Sequence, residues 1–332
     1  MRGDYWKSIV SLKGIAILAV LINHYTNAYI SPKYSGFANS MVAIFFVIAG
    51  IGATHSLKKR FSSKQINTTK TITRYYLDKA WRIYPILLIA LGVGLLLDQH
   101  FKTIIVATRF FGLKAGGIYW FLSALIQCYI ISIPLYFLKE KKGNKKYLIY
   151  ILTIFSLINL IYIFKLFPAQ LKYIINNFHL EYKGILLAHL FLCATGMVIP
   201  DLIKNQNKSI KILTQTPIFI ILFILSLISI KYLNIYPLTG IVFIILTPLM
   251  ILTILSYKKI VYSKILLIFG TYSYSLYLLH EKYYDLLHRY IFQGNTIKDI
   301  GLAIMLLPLL ILTCILIEKL VAKIRTKIKY FN

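Results

Sequence analysis

The stretch that decides the fold is the first apolar run, residues 8–30, which reads SIVSLKGIAILAVLINHYTNAYI. A helix that crosses a bilayer core needs roughly 20 mostly apolar residues, and this run supplies them. Basic residues precede it, as they precede a secretory signal, but the apolar part continues too far and no small-residue cleavage site follows. We therefore expect this run to be a retained transmembrane span.

Similar runs fill the rest of the chain. The 332 residues are 58% hydrophobic and only 14% charged, whereas a soluble domain is about 45–50% apolar and about a quarter charged. The predicted spans cover residues 8–30, 37–57, 83–101, 118–138, 147–167, 184–203, 217–233, 238–256, 264–284 and 299–321. We expect an all-α integral membrane protein, a bundle of about ten transmembrane helices, with residues 1–332 forming one transmembrane domain and no separate soluble domain.

The basic residues predict the orientation. With the N-terminus inside, 26 of the 38 Lys and Arg residues fall in cytoplasmic segments and 11 in external ones, with Lys13 inside the first span. Cytoplasmic loops carry the basic excess, so both termini are predicted to be cytoplasmic. A net charge of +28 would suggest nucleic acid in a soluble protein. Here the basic residues lie between spans, and the expected partners are membrane lipids and no nucleic acid.

Ionisable residues inside spans are informative, because each costs at least ~2.5 kcal/mol at the bilayer centre. Lys13 and His24 are eleven positions apart in the first span, which places both on one helix face, ~16 Å apart along the axis. Asn23 lies beside the histidine. The pair indicates the two ends of a polar track. The alternative is a lysine that reaches the cytoplasmic interface and a histidine bonded to a nearby carbonyl.

The ninth predicted span carries a second polar face. Ser273, Tyr277 and His280 recur at the spacing of one helix face. Since this span runs from inside to outside, His280 reaches the depth of His24, and we expect the two to approach each other. Trp120 lies near the outer boundary, where aromatic belt residues are also common.

A basic segment precedes the third predicted span. It contains Arg74, Lys79 and Arg82. The last two can share one helix face and bind phosphate there. A clamp for lipid phosphate is the alternative that the spacing leaves open. The three cysteines, by contrast, lie in apolar runs without a partner at ligand spacing, so neither a disulfide nor a metal site is predicted.

Several blocks of the sequence resemble, in order, the motifs of the acyltransferase family 3 membrane enzymes. The blocks are Lys13-Gly14, Asn23-His24, FFVIAG at 45–50, KAWRIYP at 79–85, YWFLS at 119–123, Gly196-Met197 and the segment 272–280. The family pattern opens with an Asp and an Arg and reaches a His eleven residues after the Arg. Here Val10 stands in place of the Asp, Lys13 in place of the Arg, and Lys79 in place of the first Arg of a paired-Arg motif.

The resemblance implies transfer of an acyl group, commonly acetyl, from cytoplasmic acyl-CoA to a carbohydrate hydroxyl. We expect O-acetylation of a capsule or another cell-envelope polysaccharide, or of a lipid-linked glycan, at a bacterial plasma membrane. No permanently bound cofactor is expected, acetyl-CoA or another acyl-CoA serves as co-substrate, and homo-oligomerisation is left open.

The resemblance also assigns roles to residues. His24 is the expected general base or acyl carrier, with Lys13 in support. Lys79, Arg82 and Arg74 are expected to hold the coenzyme A phosphates. The expected acceptor-side or supporting residues are Asn23, Trp120, Ser273, Tyr277 and His280.

Two other classes of protein also contain ionisable residues inside apolar spans. A glycan or lipid transporter lines its path with intramembrane charges and performs no covalent chemistry. A non-catalytic membrane scaffold is the third class, but it gives no reason for Lys13 and His24 to lie inside a span.

The charge asymmetry generates a topology prediction: residues 58–82 are cytoplasmic and residues 168–183 are external. Single cysteines at Ser62 and Gln170 should therefore react with an impermeant thiol reagent from opposite sides of sealed cells. Labelling of both positions from one side would overturn the predicted topology.

Overall fold

The computed structural model of the chain describes residues 2–29, 41–62, 68–98, 112–113, 119–163, 168, 175–176, 180–182, 185–205, 238–256, 263–291 and 296–329. The elements, in chain order, are α1 (Arg2–Tyr29), α2 (Val42–Phe61), α3 (Thr68–Asp98), α4 (Trp120–Ile163), β1 (Glu181–Tyr182), β2 (Ile185–Leu186), α5 (Ala188–Gly196), α6 (Ile199–Lys204), α7 (Leu238–Ser256), α8 (Lys264–Thr271), α9 (Ser273–Tyr290) and α10 (Thr296–Lys329). Apart from one short antiparallel hairpin, the described elements are helices.

Within the described residues, five helices are long and apolar enough to cross a membrane. They are Gly3–Thr26, Val42–Phe61, Thr68–Leu96, Trp120–Tyr162 and Gly301–Lys327, and Val242–Ser256 is a shorter apolar helix. The protein is therefore a multi-pass membrane protein. The predicted span at 217–233 lies outside the described residues, and the total of ten spans stays a prediction.

Two predicted spans lie within one element. The runs at 118–138 and 147–167 both map to α4, which contains a break at Gly143. Gly143 has φ 74° and ψ 160°, a backbone conformation that is costly for residues with a Cβ atom. Glycine at this position thus lets two helical segments meet without an intervening loop.

The predicted span at 184–203 is more broken than its composition suggests. It begins in the hairpin of β1 and β2 and continues through two short helices, α5 and α6. Leu187, just before α5, has a left-handed φ of 58°. Pro200 lies in the first turn of α6, where a missing backbone N–H costs no hydrogen bond. The structure thus divides this run between the hairpin and two short helices, where the sequence predicted one span.

The predicted span at 264–284 also divides into two helices. Ser263 caps α8, because its side chain accepts a hydrogen bond from the backbone nitrogen of Ile265. Tyr272 separates α8 from α9 and has φ −98° and ψ 17°. The polar residues of the sequence prediction all follow this break, so their helical spacing is preserved.

Packing divides the chain into two compact units. The first comprises residues 1–42, 77–105 and 262–332, and the second comprises residues 43–76 and 106–261. The first unit thus contains α1, most of α3, and α8 to α10. The second contains α4 to α7 and nearly all of α2.

The second unit holds a buried ion pair. Lys139 of α4 is 1% exposed, and its Nζ lies 2.6 Å from Oδ2 of Asp201 in α6. Lys58 of α2 lies 3.3 Å from the other carboxylate oxygen of Asp201. A buried charge without a partner is strongly destabilising. Asp201 therefore compensates Lys139 and joins three helices.

Glycines bring helix backbones together within each unit. In the second unit, a Cβ atom on Gly50 would overlap the carbonyl of Cys193, and one on Gly196 would overlap the carbonyl of Val47. In the first unit, Gly14 and Gly270 play the same part between α1 and α8. Small residues at such positions are the usual means of close helix packing in membranes.

We predict that Gly50→Ala destabilises the protein by about 1–3 kcal/mol, because the added methyl group forces α2 and α5 apart. Gly52→Ala is the matched control on the same helix, since a Cβ there meets nothing within 4 Å. The measurement is thermal unfolding of each purified variant in the same detergent. Equal midpoints for the two variants would contradict the close contact.

Candidate active site

The site is built mainly from α1 and α9 of the first unit. Helix α1 contains Lys13 and His24. Helix α9 places Ser273, Tyr277 and His280 on one buried face, as their spacing predicted. His24 and His280 meet with ring centroids 4.8 Å apart and an interplanar angle of 84°. The two histidines thus lie close together, as the sequence predicted.

Glu281 completes a cluster with these histidines. Its Oε1 lies 3.0 Å from Nδ1 of His24, and both side chains are partly exposed. An ionised carboxylate can only accept a hydrogen bond, so Nδ1 of His24 is the donor. In the neutral ring this leaves the lone pair of His24 on Nε2. The carboxylate therefore orients the imidazole and selects its tautomer.

His280 is held by its own helix. The ring is completely buried. Its Nδ1 lies 2.7 Å from the carbonyl oxygen of Tyr277 and 3.2 Å from that of Leu276. A carbonyl can only accept, so Nδ1 carries the proton and Nε2 of the neutral ring carries the lone pair. The orientation of His280 is thus set independently of His24.

Aromatic rings and one hydrogen bond fasten α1 to α9 around the cluster. The hydroxyl of Tyr284 donates to the carbonyl oxygen of Leu21 at 3.1 Å. The Tyr25 and Tyr284 rings have centroids 5.2 Å apart, and Tyr284 also contacts the ring of His280. Asn23, the residue before His24, is buried at 2% exposure. These contacts fix the depth at which His24 meets α9.

A second polar cluster surrounds Lys13. Lys13 interacts electrostatically with Arg82 of α3 and with Glu318 of α10. The hydroxyl of Ser275 in α9 donates to the Glu318 carboxylate. The hydroxyl of Tyr274 donates to the carbonyl oxygen of Ile83 at 3.1 Å, which joins α9 to α3. Four helices therefore contribute to the surroundings of Lys13.

The predicted site residues fall in both packing units. Lys79 and Arg82 lie on the part of α3 that belongs to the first unit, together with Lys13 and His24. Arg74 is exposed and belongs to the second unit. Trp120 also belongs to the second unit, where its ring lies 6.4 Å from that of Phe46.

Two acidic residues beside the predicted site residues, Glu281 and Glu318, were predicted from sequence only as ionisable residues in spans and were given no role in the site. Glu281 contacts His24, and Glu318 lies near Lys13. The available signal was their rarity, because the chain has only 10 acidic residues and these two fall in or beside apolar runs. Their partners lie more than 250 positions away in sequence, so spacing within one helix could not reveal the pairs.

One known protein family matches nearly the whole chain. The acyltransferase domain model of acyltransferase family 3 matches residues 6–319. The chain belongs to acyltransferase family 3. No curated protein and no solved structure matches the chain. The family match spans both packing units and includes the helices that carry His24, His280 and Glu281.

Family 3 membership makes this protein a membrane acyltransferase. It also confirms the resemblance that the ordered motifs indicated. By the motif resemblance, Val10 stands where the family pattern has an Asp, and Lys13 stands where it has an Arg. In the structure, the acidic group near Lys13 is instead Glu318 of α10.

Proposed function

We propose that this acyltransferase moves an acetyl or another short acyl group from cytoplasmic acyl-CoA to a hydroxyl of a cell-surface or exported polysaccharide, or of a lipid-linked glycan. The observation that carries the proposal is the hydrogen bond between Nδ1 of His24 and Oε1 of Glu281. It couples a group that exchanges protons near neutral pH to a carboxylate that fixes its orientation.

The proposed chemistry follows from this pair. Nε2 of His24 takes the proton of the acceptor hydroxyl as the hydroxyl oxygen attacks the thioester carbonyl. The carbon–sulfur bond then breaks, and the thiolate of coenzyme A receives the proton back from His24. Glu281 stabilises the imidazolium between these steps, because its carboxylate faces the protonated Nδ1. Transient acylation of His24 is the alternative order of events, with the same residue and the same products.

The charges around Lys13 favour the binding of an anionic acyl donor. Lys13 and Arg82 provide two positive charges, and Glu318 provides one negative charge near both. The remaining positive charge favours an anionic group such as a phosphate of coenzyme A. Lys79 lies one helical turn from Arg82 on α3 and extends the basic surface. Because Lys13 and Lys79 are not arginines, they bind as point charges and lack bidentate geometry.

One prediction from the proposed function concerns the acyl donor. Lys79→Ala with Arg82→Ala should raise the KM for acyl-CoA roughly ten-fold or more, because a hydrogen bond to a charged group contributes about 1.5–3 kcal/mol. Membrane abundance should stay normal, since the apolar spans are intact. Donor titrations with purified enzyme provide the measurement.

Lys70→Ala is the matched control, since Lys70 is a basic, exposed residue on the same helix α3. It should leave the KM for acyl-CoA at the wild-type value. Unchanged acyl-CoA binding by the double variant would instead assign Lys79 and Arg82 to lipid headgroups.

Another prediction concerns His24 as the general base. His24→Ala should lower glycan acylation by roughly 10²–10⁴-fold, the usual contribution of a general base, without preventing insertion. His288→Ala, an exposed histidine of α9, serves as the control and should retain activity. The measurement is the acyl content of surface glycans, with the membrane abundance of each variant determined in parallel.

Glu281→Gln tests the tautomer without changing the size of the side chain. An amide can donate to Nδ1 and leave the proton on Nε2, so acylation should fall by roughly 10²-fold or more. A transporter predicts a different pattern, in which less glycan is exported but its acyl content per chain is unchanged. Wild-type acylation by stably inserted His24→Ala would refute the catalytic assignment.

A further inference from the structure

His280 has a buried nitrogen that the proposed acyl transfer does not use. The ring is 0% exposed, and its Nδ1 donates to backbone carbonyls of its own helix. Its Nε2 has no hydrogen-bond partner among the described residues. A buried polar atom normally has a partner, because it loses the hydrogen bond that water would supply. Nε2 of His280 therefore indicates a ligand outside the described protein groups.

The surroundings of this nitrogen are rich in metal-binding groups. His24, His280 and Glu281 each offer one ligand atom, and these atoms all lie within 4.8 Å of one another. Ligand atoms around a tetrahedral zinc ion are about 3.4 Å apart, given bonds of roughly 2.0–2.1 Å. The widest pair of ligand atoms must therefore approach by up to about 1.4 Å, whereas Nδ1 of His24 and Oε1 of Glu281 are already 3.0 Å apart. Because the His24 and Glu281 side chains are 25% and 27% exposed, they have room to move inward.

These ligand atoms favour zinc over magnesium. Two imidazole nitrogens and one carboxylate oxygen form a known type of zinc site that keeps a fourth position open. A ligating histidine usually donates its other ring N–H to a carbonyl or carboxylate. His280 already does so through Nδ1. Magnesium prefers six oxygen ligands in octahedral geometry, which this cluster does not supply.

We propose that His24, His280 and Glu281 form a binding site for Zn²⁺ or a similar divalent transition-metal ion, and that the bound ion inhibits acyl transfer. Only the inhibition rests on the proposed function. A metal ion held by His24 and Glu281 breaks the hydrogen bond that prepares His24 as a base. The sequence predicted no metal site, because this donor set joins positions 24 and 280 rather than closely spaced ligands of one segment.

Direct metal binding tests the site. Full-length protein without a polyhistidine tag is purified, freed of metal and titrated with Zn²⁺ against a competing chelator dye. The wild type should bind one Zn²⁺ per chain with micromolar or tighter affinity, and X-ray absorption should show imidazole nitrogen among the ligands. Mg²⁺ at the same concentrations should not compete. The absence of Zn²⁺ binding by the wild type would overturn the proposal.

Variants locate the ion. His280→Ala and Glu281→Gln should each weaken Zn²⁺ binding on the order of 100-fold, whereas His288→Ala on the same helix should bind as the wild type does. His280→Cys should retain binding, because a thiolate is a good zinc ligand; this variant separates a lost ligand from lost folding. Wild-type affinity in both His280→Ala and Glu281→Gln would place the ion elsewhere and refute the site.

Activity measurements test the second part of the proposal, which is that the bound ion inhibits acyl transfer. Zn²⁺ should inhibit acyl transfer at the concentrations that occupy the site, and a chelator should restore the rate. Stoichiometric binding without inhibition would refute the inhibitory role and leave the site established. If the protein transfers no acyl group to glycans under any condition, the proposed function fails, while the binding results still decide whether the metal site exists.

Discussion

The close contact between the backbones of α1 and α8 positions the candidate site. Gly14 of α1 and Gly270 of α8 each face a carbonyl group of the other helix, so any side chain at either position would separate the two helices. Lys13 is adjacent to Gly14, and α9 begins at Ser273, just beyond Gly270. The separation of α1 from α8 thus sets where α9 starts along α1. His280 lies roughly two turns further along α9, at the depth of the outer part of α1.

The positive charge of Lys13 is balanced by a residue from another helix. Lys13 is in α1, whereas Glu318 is in α10. Ser275 donates a hydrogen bond to Glu318 and holds the carboxylate in place. Charge balance inside the membrane therefore depends on the packing of α10 against α9. Placing an ionisable group inside a span costs free energy. A carboxylate near the lysine lowers that cost, whichever helix carries it.

The sequence predicted what lies within one helix and missed what joins distant helices. The shared face of Ser273, Tyr277 and His280 was predictable, because α9 is regular through all of them. The break at Tyr272 was not, since no proline or charged residue marks it within the apolar run. Glu281 is one position from His280 and therefore points about 100° away from that face. Both side chains contact His24 because α1 packs against α9 at this point.

Polar residues inside apolar segments serve different purposes in the two units, and their hydrogen bonding distinguishes them. In the second unit, the amide group of Asn159 donates to the carbonyl oxygens of Phe155 and Leu186 and accepts from the Leu186 backbone nitrogen. Such a residue ties the chain together and has little capacity left for a ligand. His280 differs, because one nitrogen is bonded to its own helix and the other has no partner among the described groups. Composition alone shows only that both residues are polar side chains in apolar runs. The unused bonding capacity, rather than the presence of a polar side chain in an apolar run, is what points to chemistry at the His24 cluster.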